Sequence, residues 1–121
     1  MKYFLMTLVT ALMLAGPPKI SSIETRGNQV HLYDEGGRKY KTLTTSVIGQ
    51  VQAYSAEIFI TEKHGWIYIF DSEGQKLRTL SASYVGTVLS CVNNTFTSRK
   101  GSMVYIWDKN GNKIHSRSVK Q

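Results

Sequence analysis

The apolar positions of this chain form three short runs of β-branched and aromatic residues that return at a fixed interval. The runs cover residues 30–33, 67–70 and 104–107, so each lies 37 residues after the one before it. Most positions within a run are apolar, whereas a strand with one face in water alternates with polar residues. The pattern therefore predicts three β-strands, each covered on both faces.

Each apolar run ends in the same turn signal, Asp-x-x-Gly. An Asp side chain can accept hydrogen bonds from backbone N–H groups further along the chain, and Gly adopts positive φ without strain. The signal predicts a β-hairpin after each run. The turn residues are Asp34 and Gly37, Asp71 and Gly74, and Asp108 and Gly111.

More positions repeat with the same period, and they define the predicted unit. Gly49 pairs with Gly86, and Val51 with Val88. The strand that returns from each turn carries alternating basic residues, which share one face of a strand. With a strand before each apolar run and a further strand at Val51 and Val88, each unit has about four short strands. The predicted units are residues 12–48, 49–85 and 86–121, within one β-repeat domain over residues 16–121.

Four short antiparallel strands in each repeat are typical of a β-propeller blade. The second unit, residues 64–80, resembles an NHL-type propeller repeat: an apolar strand ends in Asp, a Gly turn follows, and then come Lys and an apolar-basic strand. The resemblance implies a propeller that binds proteins or RNA, because members of that family mostly have six blades and bind such partners. We therefore expect an all-β fold with three four-stranded antiparallel blades.

Three blades are fewer than the four to eight that normally close a propeller. Two outer blade faces would be left open, and soluble monomers avoid large exposed apolar patches. We therefore expect a homodimer in which two chains complete six blades. A β-trefoil is the alternative, because it also uses three units and closes as a monomer.

Residues 1–15 have two interpretations. A single Lys, an apolar stretch and a terminal Ala match a secretory signal peptide, which would make the protein secreted or periplasmic. Alternatively the segment is an extra β-strand of a cytoplasmic protein, because Lys2 and Tyr3 are in phase with Lys39 and Tyr40.

The net charge of +7 and the pI of about 9.6 favour partners with negative surfaces, such as nucleic acid, an acidic protein or an acidic glycan. Three basic residues occupy one repeat position before the apolar strand, so they should gather at one end of the molecule. A solvated loop surface would have the same composition. The candidate binding residues are Arg26, Lys63 and Lys100, with Lys19, Arg99 and Trp66 placed nearby.

The sequence contains no recognisable catalytic constellation, metal-binding motif or cofactor-binding loop. Its histidines, His31, His64 and His115, occupy three different repeat positions, and Cys91 fits a small buried apolar residue. We therefore predict a non-enzymatic, homo-oligomeric binding or scaffolding module without a cofactor. The alternatives are a polyanion or nucleic-acid binder that uses the basic end, and a carbohydrate binder that uses the aromatic columns.

Overall fold

A computed structural model describes residues 16–119 of the chain, so both interpretations of residues 1–15 lie outside the described part. The chain is all-β apart from two four-residue helical turns, which the sequence pattern did not predict. The strands are β1 (Ser22–Arg26), β2 (Gln29–Tyr33), β3 (Lys39–Thr44), β4 (Gln50–Tyr54), β5 (Ile58–Lys63), β6 (Trp66–Asp71), β7 (Lys76–Ser81), β8 (Thr87–Val92), β9 (Thr95–Lys100), β10 (Met103–Asp108) and β11 (Lys113–Ser118). The helical turns are α1 (Thr45–Ile48) and α2 (Ala82–Val85).

The strands form three separate antiparallel sheets, and each strand pairs with its neighbours in sequence. Sheet 1 has the order β1-β2-β3, sheet 2 the order β4-β5-β6-β7, and sheet 3 the order β8-β9-β10-β11. This arrangement is propeller-like, with one meandering sheet in each repeat. The β-trefoil alternative is wrong, because no strand of one repeat pairs with a strand of another repeat in residues 16–119.

Sheet 1 departs from the predicted four strands, because it has three between residues 16 and 119. A shift of 37 residues relates β1 to β5 and β9, so the strand without a counterpart is the innermost one, equivalent to β4 and β8. The residues in phase with β4 are 13–17, and most of them precede the described part.

The Asp-x-x-Gly turns have the same geometry in all three sheets, which confirms the predicted role of the aspartates. In sheet 2, the Asp71 carboxylate accepts hydrogen bonds from the backbone N–H groups of Glu73 (2.9 Å) and Gln75 (3.0 Å). Asp34 and Asp108 accept the equivalent bonds. A register shift before the turn gives each hairpin a β-bulge at the same position. We call this end of the molecule the Asp end.

The opposite end carries the β1–β2, β5–β6 and β9–β10 hairpins together with both helical turns, and we call it the hairpin end. Here α1 and α2 end at glycines with φ of 91° and 88°, Gly49 and Gly86. A Cβ on Gly49 would lie 2.4 Å from the carbonyl oxygen of Glu62, and one on Gly86 2.4 Å from that of Arg99. Positive φ and this close approach explain why both repeats have glycine at this position.

Two apolar cores hold the three sheets together. The first lies between sheets 1 and 2, where Phe59 and Phe70 stack with ring centroids 4.9 Å apart. The second lies between sheets 2 and 3, where Phe96 and Trp107 stack at 5.9 Å against a layer of isoleucines from sheet 2. At each boundary between two sheets, an aromatic face therefore packs on an aliphatic one.

The two outermost sheet faces are more polar than the open apolar faces predicted from the blade count. Side chains alternate between faces, so each outer position can be compared with its inner equivalents 37 residues away. On the outer face of sheet 1, polar residues replace most of the aromatic layer. On the outer face of sheet 3, Thr95, Thr97 and Arg117 replace three aliphatic residues. The outer face of sheet 1 has Ser22, Glu24, His31 and Tyr33, and that of sheet 3 has Thr97, Val104, Ile106 and Arg117.

Between residues 16 and 119, neither helical turn has the length or apolar character needed to cross a bilayer. The two four-stranded sheets lie within the predicted units 49–85 and 86–121.

Candidate functional site: an inner groove and a basic end

An open groove runs along the inner strands of the three sheets, and we call it the inner groove. Its volume is about 430 Å³. Strands β4 and β8 lie side by side, and β1 forms the remaining wall because sheet 1 has no inner strand of its own in the described part. The lining residues are Ile23, Thr25, Val51, Gln52, Ala53, Tyr54, Leu89, Ser90 and Cys91.

The inner groove exposes large apolar side chains that core packing leaves uncovered. Tyr54 is 39% exposed and Leu89 is 51% exposed. Leu89 lies at the register shift between β8 and β9, where the strand has a β-bulge. The bulge interrupts the alternation of side chains between the two faces of the sheet. Exposed apolar residues gathered on a concave surface are typical of interaction sites.

Cys91 lines the same groove and packs against the core between sheets 2 and 3, as expected for a small apolar residue. Burial raises the pKa of its thiol to about 12, because the buried site disfavours the charged thiolate. At neutral pH the side chain is therefore a neutral thiol of low nucleophilicity.

The structure brings most of the predicted binding residues to the hairpin end. The sequence pattern predicts Arg26, Lys63 and Lys100 in the loops that lead into the apolar strands. In the structure they are instead the last residues of β1, β5 and β9. Trp66, which is 49% exposed, pairs across the hairpin with Lys63. Arg99 directly precedes Lys100 on β9.

Lys19 does not belong to this group. Its Nζ lies 2.8 Å from Oε2 of Glu57, in the β4–β5 turn at the Asp end. The expectation that it lies near the basic residues is therefore wrong. Lys19 has no counterpart in the repeat columns of basic residues, so its sequence position carried no information about which end it would join.

The basic residues differ in how they are paired. Arg26 lies 3.5 Å from Glu24, measured from Nε to Oε2, and both side chains are solvent-exposed. Nε of Arg99 donates a hydrogen bond to the carbonyl oxygen of Gly101 (3.0 Å). In the part of the chain described here, Lys63 and Lys100 have no ion-pair partner. Within the basic group at the hairpin end, these two lysines are therefore the side chains most available to an anionic ligand.

Three basic residues of the outer strands, Lys76, Arg78 and Lys113, have structural contacts. Nζ of Lys76 lies 4.4 Å from the ring centroid of Tyr68, and Nζ of Lys113 lies 3.9 Å from that of Tyr105. Nη1 of Arg78 donates a hydrogen bond to the carbonyl oxygen of Asn110 (2.9 Å) in the next sheet. The two lysines therefore form cation–π pairs, and Arg78 links sheet 2 to sheet 3.

The aromatic columns serve the cores. Phe70 and Trp107 are buried, and Tyr68 and Tyr105 are half-buried beneath the lysines that contact them. This placement leaves little aromatic surface on which a sugar ring could stack. The carbohydrate alternative based on these columns therefore has no support from their geometry.

Across residues 16–119, no three His, Cys, Asp or Glu side chains are grouped closely enough to hold a metal ion. Nδ1 of His31 lies 3.2 Å from the Thr42 hydroxyl on the outer face of sheet 1. His64 occupies the β5–β6 hairpin, and His115 lies on β11.

A buried hydroxyl column is a feature that the repeat comparison did not single out. Thr61 donates to the carbonyl oxygen of Ile48, and Ser98 donates to that of Val85 (2.7 Å), so each hydroxyl joins a helical turn to its sheet. The indole N–H of Trp107 donates to the Ser98 hydroxyl (2.9 Å). The sequence signal for this feature is the repeat position of Thr61 and Ser98, which has a small hydroxyl residue in two of the three units. The first unit has Glu24 at that position, which obscures the pattern.

No family model matches the chain, and no curated protein matches it. Among solved structures, the chain is similar to the crystal structure of BamB from Moraxella catarrhalis, with 13% sequence identity and a TM-score of 0.49. The match covers 82% of this chain and 34% of the BamB chain, so this chain spans about a third of that structure.

Proposed function

We propose that this chain is a non-enzymatic binding module that holds a macromolecular partner in its inner groove. The observation that carries the proposal is the exposure of Tyr54 and Leu89 on a concave surface to which all three sheets contribute. Burying such side chains gives a partner most of its binding free energy. The resemblance to NHL-type repeats, whose members mostly bind proteins or RNA, points in the same direction.

The test is site-specific photo-cross-linking in the native host, with the photoreactive residue at Leu89 or at Ile114. Ile114 is a matched control, because it is 54% exposed but lies on the outermost strand β11. We expect one discrete partner from position 89 and none from position 114. The purified partner should then bind the Leu89→Asp variant at least about tenfold more weakly than the unmodified protein, and Ile114→Asp unchanged. Equal cross-linking at both positions would contradict the proposal.

We further propose that two chains associate through their outer sheet faces and complete a six-bladed ring. The outer face of sheet 1 carries Glu24, which pairs with Arg26 on the same face, and the outer face of sheet 3 carries Arg99 and Arg117. Such an interface is more polar than the two internal boundaries. Its stability should therefore depend on salt more than that of an apolar interface does.

A polyanion or nucleic acid is the second candidate ligand, and the gathering of Arg26, Lys63 and Lys100 at the hairpin end favours it. The test is binding of a single-stranded oligonucleotide as a function of salt. Replacing Lys63 and Lys100 with Gln should make the negative slope of log affinity against log salt shallower by about 1.4, since each phosphate contact on a single strand contributes about −0.7. Lys109→Gln, an exposed change at the Asp end, is the control and should leave the slope unchanged. An unchanged slope in the double variant would exclude this end as the binding surface.

A further inference from the structure

We propose that the inner edge of β1, which has no strand partner among residues 16–119, accepts an extended strand from the partner protein, which completes sheet 1 as its fourth strand. This inference rests on the proposed function of the inner groove and specifies how the partner binds. Strand addition to a sheet edge supplies affinity through backbone hydrogen bonds and specificity through alternate side chains.

The place of the added strand, next to β1, follows from comparison of the three sheets. In sheets 2 and 3, the inner strands β4 and β8 pair with β5 and β9. Their equivalent β1 pairs with β2 on one side and has no strand partner on the other among residues 16–119. Unpaired backbone groups on such an edge can form hydrogen bonds with an added strand.

The surroundings of this edge resemble those of the occupied positions. Strand β4 lies beside β8 in the described structure, so a strand added to β1 would lie beside β4 in the same way. Ile23 and Thr25 of β1 face the inner groove opposite residues of β4 and β8. The added strand would therefore cover part of the groove's exposed apolar surface.

The chain's own sequence departs from the pattern that fills this position in the other two sheets. Gly49 and Gly86 have positive φ and leave no space for a Cβ, whereas the residue in phase with them is Leu12. Pro17 is in phase with Tyr54 of β4 and lacks a backbone N–H. These differences favour a strand from another protein.

The filled positions also indicate the chemistry of the incoming strand. Strands β4 and β8 are each preceded by a glycine, have valine two residues after it and a small residue two further on. The glycine allows close approach at the hairpin end, and the valine packs inward. We therefore expect a partner segment with the pattern Gly-x-Val-x-Ala/Ser in an extended conformation.

The experiment titrates the full chain with a synthetic peptide that has the sequence of residues 48–55, which contains β4. Amide hydrogen exchange and NMR shifts report on each strand up to millimolar peptide. We expect new protection of alternate amides within Ser22–Arg26, because the other β1 amides already bond to β2. Binding should be at least about tenfold weaker when proline replaces the position of Ala53 in the peptide. Thr25→Lys on the edge should weaken binding, whereas Ser118→Lys, an exposed change on β11, should not.

Three outcomes would overturn the inference: no protection of β1 by the peptide, equal binding of the proline peptide, or full protection of the β1 amides before peptide is added. The last would mean that another segment of the same chain already occupies the edge. Because cross-linking from Leu89 does not depend on strand addition, a positive cross-link without β1 protection would retain the groove as a binding site and reject this mode of binding.

Discussion

At the scale of single residues, two glycines with positive φ differ in what surrounds them. The φ of 88° at Gly86 and the nearby carbonyl of Arg99 leave no room for a side chain. Gly101 has φ of 61°, but no atom lies within 4 Å of the point that a Cβ would occupy, so only its conformation favours glycine. At Gly86 a side chain is excluded by nearby atoms, whereas at Gly101 only the backbone conformation disfavours one.

Replacing Gly86 with Ala should destabilise the protein by clearly more than replacing Gly101 with Ala. The Gly101 change carries only the left-handed conformational cost of about 1–2 kcal/mol. The Gly86 change adds displacement of the β9 backbone. Chemical denaturation of both variants measures the difference, and equal losses would contradict the close approach of α2 to β9.

Tyr40 joins sheet 1 to the turn of sheet 2, because its hydroxyl donates a hydrogen bond to the carbonyl oxygen of Ser72. Burial raises the pKa of Tyr40 to about 12, above the ordinary value of 10.0. The folded state therefore favours the neutral phenol. Its contribution to stability is complete below about pH 10 and is lost as pH rises towards 12.

The variant Tyr40→Phe should lose about 1 kcal/mol of unfolding free energy at neutral pH, because the Ser72 carbonyl loses its donor. Between pH 10 and 12, the stability of this variant should also fall less than that of the unmodified protein. Tyr54→Phe is the control, since the Tyr54 side chain is 39% exposed. A pH profile of Tyr40→Phe identical to that of the unmodified protein would contradict this assignment.

At the scale of elements, the Asp-x-x-Gly hairpin is the unit that repeats most faithfully. Each aspartate uses one carboxylate oxygen to organise the turn, and a β-bulge occurs at the same position of each hairpin. In the third copy, hydrogen bonds from the Asn112 backbone N–H and side chain, and from the Asn110 backbone N–H, lower the pKa of Asp108; the nearby charge of Arg78 also lowers it. The charged carboxylate is thus favoured in the folded state.

A lowered pKa in the folded state gives a stabilising contribution that is present above the ordinary value of 3.8 and is lost as pH falls further. Asp108→Asn keeps an oxygen acceptor but does not titrate. The variant should therefore lose less stability between about pH 4 and pH 2 than the unmodified protein does. Thermal unfolding across this range measures the effect, and parallel curves would show that Asp108 makes no titratable contribution.

At the scale of the whole molecule, the three sheets differ according to what covers them. The boundaries between sheets are aromatic on aliphatic, whereas the two outer faces introduce Glu24 on one side and Arg117 on the other. Terminal units of repeat proteins commonly carry such polar outer faces. A ring of two chains would have to bury them.

The proposed dimer should therefore weaken as salt increases. Sedimentation velocity at low and high ionic strength measures the monomer fraction, and Glu24→Lys should shift it towards monomer by placing like charges at the interface. Lys109→Glu, in an exposed turn, is the control for a charge reversal elsewhere. A strict monomer at every salt concentration would contradict ring formation by two chains.

The sequence by itself determined the strands, the turns and their repetition, because these depend on local chemistry: β-branched runs, aspartates that bond to nearby N–H groups, and glycines at positive φ. Only the tertiary structure decided which faces lie outermost, that Lys19 pairs with Glu57 at the Asp end, and that sheet 1 leaves its inner edge without a strand partner in residues 16–119. These features depend on contacts between residues far apart in the chain. A repeat period can align such residues, but it does not specify which of them meet.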